Sequence, residues 1–178
     1  MIRLFVALEI PDAVRAMLTR LQTGVPGARW AAMEQMHLTL RFIGEVNGAV
    51  AHDIDDALSG IRAPVFSMEL SGVGEFGGNN PRALWVGVRG NDALLHLQKK
   101  IETALQRFGL QPERRKFSPH LTLARLKATS RGHVMDFLTD HALFANGPFE
   151  VKHFVLFSSH LGATGSIYRA ERIYTLAR

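Results

Sequence analysis

The chain has 178 residues, 47% of them hydrophobic and 21% charged, which are the proportions of a globular protein large enough to bury its own core, not of a disordered or membrane-embedded chain. It has no cysteine, which excludes disulfides, thiolate nucleophiles and cysteine-bound zinc. The formal net charge of +5 has the sign that suits a polyanionic partner, and a modest excess of this kind also serves solubility.

Ile2 to Glu9 reads as a strand. Its apolar run, Leu4 to Leu8, is cut by Glu9 and Pro11 and is too short for a signal-peptide core, so a cytoplasmic location is expected. No run approaches the length of a membrane-spanning helix. Pro11 suits the first turn of a helix whose face is Val14, Met17, Leu18 and Leu21, ended by Gly24, Pro26 and Gly27. Ala28 to Trp30 is a short strand. Met36 to Phe42 is a further strand, closed by Gly44. A second helix is predicted from about Ala49 to Ile61, with Asp53, Asp55 and Asp56 on its solvated face.

Val65 to Val73 follows as a strand and Gly74 to Arg82 as a glycine-, proline- and asparagine-rich loop. The glycines from Gly74 to Gly78 do not form a phosphate loop, because no Gly-Lys-Ser/Thr follows. Ala83 to Arg89 is a strand. Asn91 can cap a helix with the stripe Leu94, Leu97, Ile101, Leu105 and Phe108, stopped by Gly109. Glu113 to Lys116 is a basic connection, His120 to Leu126 a strand, and His133 to Asp140 a short helix. Phe149 to Phe157 and Ile167 to Leu176 are late strands joined by the loop His160 to Ser166.

One tetrapeptide occurs twice, as His37-Leu38-Thr39-Leu40 and His120-Leu121-Thr122-Leu123. Leu4-Phe5-Val6-Ala7-Leu8 also resembles Leu84-Trp85-Val86-Gly87-Val88. Each is followed by a helix and then by the repeated strand, 33 and 36 residues from leucine to histidine. Strand, helix and motif recurring in one order point to two pseudo-symmetric lobes across a shared cleft.

In a strand, positions i and i+2 face the same way, so each motif presents an imidazole beside a hydroxyl while its leucines point into a core. Histidine is the side chain whose ordinary pKa best suits acid and base work near neutrality. Two across a cleft can divide that work, and threonine hydroxyls can donate to oxygens whose charge grows in a transition state. Strand parity places Arg41 on the face of His37 and Thr39, and Arg125 on the face opposite His120. Guanidinium groups suit phosphate oxygens. Two histidines, two hydroxyls and a basic excess, with no metal-ligand spacing, point to metal-free phosphodiester chemistry.

The chain resembles the 2H phosphoesterase superfamily, and within it the RNA 2',3'-cyclic phosphodiesterases, also called 2'-5' RNA ligases. The resemblance runs through Arg3 to Ala7, His37 to Gly44, Pro81 to Trp85, Pro112 to Arg115 and Phe117 to Arg125. It closes with Phe157-Ser158, Leu161, Gly165 and Tyr168. It implies an α+β fold: a bilobal duplication with antiparallel sheets lining a central cleft and helices outside, as one domain of two intertwined lobes over residues 1–178. It implies His37 as proton donor and His120 as proton acceptor, with Thr39, Thr122 and Arg125 on the phosphate oxygens. No metal or other cofactor is implied. The substrate would be RNA ending in a 2',3'-cyclic phosphate, tRNA fragments among the candidates, opened to a 2'-phosphate by a monomeric enzyme. The reverse reaction would join RNA through a 2'-5' linkage without ATP.

Phe42, Trp85 and Tyr168 are aromatic candidates for stacking a base, with core packing the competing fate of Phe42 and Trp85. Phe42, Tyr168 and Arg41 are carried as substrate-binding candidates. Arg114, Arg115 and Lys116 can meet an RNA backbone or form a solvated turn. His133, His141, His153 and His160 lack metal spacing and are expected at the solvated surface. Two alternatives to the RNA phosphodiesterase stay open: an RNA-end-binding module without turnover, and a phosphodiesterase for another small cyclic phosphate or for 2'-5' oligonucleotides.

Overall fold

The computed structural model describes residues 1–178. In chain order the elements are β1 (Ile2–Glu9), α1 (Asp12–Thr19), β2 (Ala28–Trp30), a 3-10 turn (Met33–Gln35), β3 (His37–Val46), α2 (Gly48–Ser59), β4 (Phe66–Phe76) and β5 (Ala83–Val88). Then come α3 (Asp92–Phe108), β6 (His120–Leu126), α4 (Arg131–Asp140), β7 (Ala145–Val151), β8 (His153–Gly162) and β9 (Gly165–Thr175). The strands form two antiparallel sheets, ordered β3-β1-β8-β9 and β2-β6-β5-β4-β7. The expected α+β architecture is therefore present. The chain also crosses between the halves: β2 joins the sheet of the second motif, and β8 and β9 return to that of the first.

Helices α2 and α3 form where caps and apolar stripes coincide. The Asn91 side-chain oxygen accepts the Leu94 N–H at 3.0 Å, and Gly109 ends α3 in the left-handed conformation at φ 113°. Leu94, Leu97, Ile101 and Leu105 are fully buried along one side, the expected stripe. Asn47 caps α2 through the Val50 N–H at 2.9 Å. Helix α1 stops at Thr19, before the expected glycines. Its buried residues are Val14 and Leu18, while Met17 lies on its exposed side. Asp55 is not solvated as expected: its carboxylate accepts from Tyr174 at 2.7 Å and from Arg172 at 2.9 Å.

Four boundaries differ from the sequence expectation, each through strand pairing. Strand β3 continues past Gly44, which sits at a register shift opposite Leu4. Strand β4 extends to Phe76, because Gly74, Glu75 and Phe76 pair with Trp85, Leu84 and Ala83. The run Phe149 to Phe157 is two strands, divided at Lys152 and assigned to different sheets. The expected loop His160 to Ser166 is the end of a hairpin in which Gly162 pairs with Gly165.

Both sheets turn one face to a shared core. That core takes Leu4, Val6, Leu8, Leu38 and Leu40 from the first sheet and Leu84, Val86, Leu121 and Leu123 from the second, packed under α2, α3 and α4. Fully burying one such side chain is worth about 1.5–3 kcal/mol, so the leucines of both motifs fix which way their strands face. The opposite faces of the two sheets carry everything between those leucines. On the first sheet that face holds a small apolar floor of Phe5, Ala7, Val155 and Phe157, with Tyr168 packed against it.

Candidate active site

The two motif strands come together at the junction of the sheets, with Cα atoms of β3 and β6 within 8 Å of each other. Leu38, Leu40, Leu121 and Leu123 all enter the one core, so His37 and Thr39 on the first sheet, and His120 and Thr122 on the second, lie on the face turned away from it. The register within each sheet agrees. Thr39 pairs with Ala7 of the floor, and His120 and Thr122 pair with Gly87 and Trp85.

Each motif strand then breaks its period at the same place. In β3, Ala7 pairs with Thr39 but Val6 with Arg41, leaving Leu40 as the extra residue of a bulge. In β6, Trp85 pairs with Thr122 but Leu84 with Ala124, leaving Leu123 extra. A bulge of one residue reverses the parity of the residues beyond it. Arg41 and Ala124 consequently turn to the core, while Phe42 and Arg125 turn to the histidine side. Both arginines thus face opposite to the direction that simple alternation predicts.

Arg41 is the clearest correction. It is buried, with its Nε 2.6 Å from a Glu102 carboxylate oxygen on α3 and its Nη1 3.5 Å from Glu113. The same guanidinium donates to the carbonyls of Phe42 and Gln111. It braces the segment that leads into β6 and is spent on protein partners. Burial pushes the Glu102 carboxyl up, but hydrogen bonds from Gln106 and the Glu113 N–H, with the Arg41 charge, outweigh it and hold the group below its ordinary value.

The histidines are held alike. His37 Nδ1 lies 3.1 Å from the Gln35 carbonyl, and His120 Nδ1 lies 2.7 Å from the Ser118 carbonyl. A carbonyl only accepts, so each Nδ1 carries a proton and each Nε2 is left as the functional atom: an acceptor when the ring is neutral, a donor when it is charged. Aromatic rings wall both. His37 packs edge-on to Phe157 at 4.6 Å, Tyr168 at 5.4 Å and Phe5 at 6.2 Å. His120 meets Phe76 edge-on at 5.0 Å and Trp85 at 6.2 Å. Burial lowers the pKa of His37, and the nearby Arg15 charge adds to it, against the opposing effects of the Gln35 carbonyl and Glu9.

The structure brings His37, Thr39, Phe42 and Tyr168 to one sheet and His120, Thr122 and Arg125 to the other, all on the side away from the core. Phe42 is 43% exposed with the Arg3 guanidinium 5.1 Å from its ring centre, not packed in the core. Trp85 is half-buried; its indole lies over Gly74, where a Cβ would come within 2.1 Å of the ring. Arg114, Arg115 and Lys116 are exposed. Of the later histidines, His133 is exposed, His153 bonds Glu9 at 2.8 Å, His141 packs on Phe137 and His160 bonds Ser158. No group of three or more metal-ligating side chains occurs.

Sequence reasoning missed Phe76, which it placed in a loop, and Arg29, directly opposite Arg125. The consecutive apolar pair Leu123-Ala124 breaks the period of two and is the one sign of the bulge in the sequence.

A family model described as the 2'-5' RNA ligase superfamily matches residues 7–163. The chain is 39% identical over 150 residues to the RNA 2',3'-cyclic phosphodiesterase of Aeropyrum pernix, covering 83% of this chain and 85% of that one. It is 31% identical over 176 residues to the protein of the same name from Archaeoglobus fulgidus, covering 97% and 99%. Among solved structures, Escherichia coli LigT complexed with 3'-AMP superposes with a TM-score of 0.82 over 99% of both chains at 24% identity, a likeness of fold. TT0787 of Thermus thermophilus superposes with a TM-score of 0.81 over 97% of both chains at 26% identity.

Proposed function

The chain belongs to the 2'-5' RNA ligase superfamily, and from that premise we propose that it hydrolyses RNA 2',3'-cyclic phosphate ends to 2'-phosphomonoesters, using its two motif histidines as acid and base. The observation that supports this is the matched pair of Nδ1-anchored imidazoles, each on the face of its sheet turned away from the core. The relatives that bear the name RNA 2',3'-cyclic phosphodiesterase supply the substrate class.

In this reading the neutral His120 Nε2 takes a proton from water as its oxygen forms a bond to phosphorus. The bond from phosphorus to the 3' oxygen breaks, and His37 Nε2 gives that oxygen its proton. The 2' oxygen keeps the phosphate. Thr39 and Thr122 donate to the non-bridging oxygens, and Arg125 supplies a fixed positive charge beside them. His37 is the more buried imidazole and favours its neutral form in the free protein. A phosphate anion at its Nε2 pushes the other way and favours the charged form that the acid needs. Arg41 has no substrate role here. Phe42 and Tyr168 flank the ribose on the His37 side. Side chains alone carry the steps. Residues 1–178 act as one domain of two intertwined lobes, a cytoplasmic monomer that takes tRNA fragments among its RNA substrates. The reverse reaction joins RNA through a 2'-5' linkage.

The test is hydrolysis of an oligonucleotide ending in a 2',3'-cyclic phosphate, with EDTA present and the product isomer identified. Wild type yields the 2'-phosphate, and His37→Ala and His120→Ala each lose roughly a hundredfold or more. Wild type that binds this RNA without turning it over would move the chain to an RNA-end-binding role.

A further inference from the structure

Four residues form one row across the second sheet, on the histidine side. Phe76 of β4 pairs with Ala83 of β5, Ala83 with Arg125 of β6, and Arg125 with Arg29 of β2. Strands lie about 4.8 Å apart, so the row runs roughly 14 Å from an aromatic ring to a pair of guanidinium groups. Phe76 is 42% exposed, yet it is fixed: Trp85 backs it at 5.5 Å, and its edge meets the His120 ring at 5.0 Å. Ala83, the small residue of the row, leaves the surface between ring and charges low. Arg29 and Arg125 face each other directly and are both exposed. Neither is in an ion pair with a carboxylate. Like charges directly opposite on a sheet repel, and an anion over the pair relieves that. An exposed ring with phosphate-binding charges about a nucleotide or two away is the pattern of a single-stranded RNA track.

We propose that this row is the binding track for a second RNA strand, one with a 5'-hydroxyl end. Its first base stacks on Phe76 and a following phosphate lies on Arg29, beyond Arg125, which meets the reacting phosphate. The assignment rests on the acid and base roles given above. His120 is then the group that deprotonates the attacking oxygen, and the surface beside His120 binds the molecule that carries this oxygen. In hydrolysis that molecule is water and the track is empty. In strand joining it is the 5'-hydroxyl. The 5' oxygen bonds to phosphorus, its proton passes to His120, the bond to the 3' oxygen breaks, and that oxygen takes the His37 proton. The 2'-5' linkage forms with no other reactant.

The experiment compares two reactions of the full chain: hydrolysis of a cyclic-phosphate end, and cleavage of a single 2'-5' junction in RNA, which is joining run backwards. For Phe76→Ala, kcat/KM on the junction falls roughly tenfold or more relative to hydrolysis, and Phe76→Trp restores it. An abasic nucleotide on the 5'-oxygen side of the junction costs wild type a similar factor, and Phe76→Ala loses nothing further on that substrate. Arg29→Ala reduces the salt dependence of junction cleavage by about 0.7 in the logarithmic slope. An equal loss in both reactions, or a Phe76→Ala loss that persists on the abasic junction, would overturn the track. Wild type that hydrolyses ends but cleaves no junction would overturn the track and leave the hydrolase reading standing. Wild type inactive on both would overturn both.

Discussion

Phe42 and Arg125 occupy equivalent places in the two motif strands. Each follows its histidine by five residues, each lies just after a bulge centred on the motif's second leucine, and each faces the histidine side. The duplication is therefore structural down to the irregularity in the strand, and the asymmetry of the site lies in the side chains that fill the shared positions. The His37 half carries an aromatic ring there and the His120 half a guanidinium.

That asymmetry predicts unequal mutants. Arg125→Ala should lower kcat on a cyclic-phosphate end roughly a hundredfold, as expected for losing a fixed donor to developing charge. Arg125→Lys should recover only part of it, because an ammonium lacks the planar fork. Phe42→Ala should act mainly on KM for the same substrate. Steady-state kinetics on one oligonucleotide checks all three; a larger kcat loss for Phe42→Ala than for Arg125→Ala would contradict the assignment.

Arg41 should behave as a support. Removing it leaves Glu102 as a largely buried carboxylate beside the segment that leads to His120. Breaking one partner of such a pair costs about 3–5 kcal/mol. Urea unfolding of Arg41→Ala should show a loss of that order. Glu102→Gln together with Arg41→Met, which removes both charges, should lose less than Arg41→Ala alone.

Gly74 and Trp85 give a third outcome. A side chain at Gly74 cannot coexist with the indole where it stands, and the indole backs both Phe76 and His120. Gly74→Val should therefore shift tryptophan emission in a Trp30→Phe background and lower activity, with a stability cost of about 1–3 kcal/mol. Unchanged emission would mean that the ring does not depend on the glycine.

Much of this is legible in the sequence. Asn91, Gly109 and the α3 stripe act locally and can be read directly, as can β1, β5 and the repeat that pairs them with the motif strands. The features that escape depend on partners in other strands, most of them far along the chain. The bulges at Leu40 and Leu123 carry no glycine or proline, and they are imposed by pairing with β1 and β5; the arginine faces depend on them, and simple alternation reverses both. Phe76 is hidden by the turn-forming composition of Gly74 to Arg82, although its backbone is held in the sheet by β5. The division at Lys152 has no breaker, because it is a change of sheet and not a turn. Asp55 looks solvated on α2 until Tyr174 and Arg172 arrive from β9.

The environment of His37 makes a stability prediction with a definite sign. Folding depresses its pKa, so near and below the ordinary value of 6.5 the unfolded chain binds more protons than the folded one. Its contribution to stability is present above that value and is lost as pH falls from there through the lowered value of the folded state. Urea midpoints at pH 7.5 and 5.5 should differ more for wild type than for His37→Gln. An equal difference in the two proteins would show that His37 does not titrate with folding.

The last prediction separates acid from base, which a pH profile alone cannot do, because an acid and a base with exchanged pKa values give the same bell. If His37 protonates the leaving 3' oxygen, its importance depends on how badly that atom needs a proton. A cyclic substrate with sulfur in place of the 3' oxygen leaves as a stable thiolate. On it, His37→Ala should recover most of the roughly hundredfold loss seen with oxygen, while His120→Ala, which still lacks a base for water, should stay impaired. Recovery by His120→Ala instead would exchange the two roles. It would also move the attacking oxygen to the aromatic side of the site, beside Tyr168 and Phe42, and with it the place where a second RNA strand must bind.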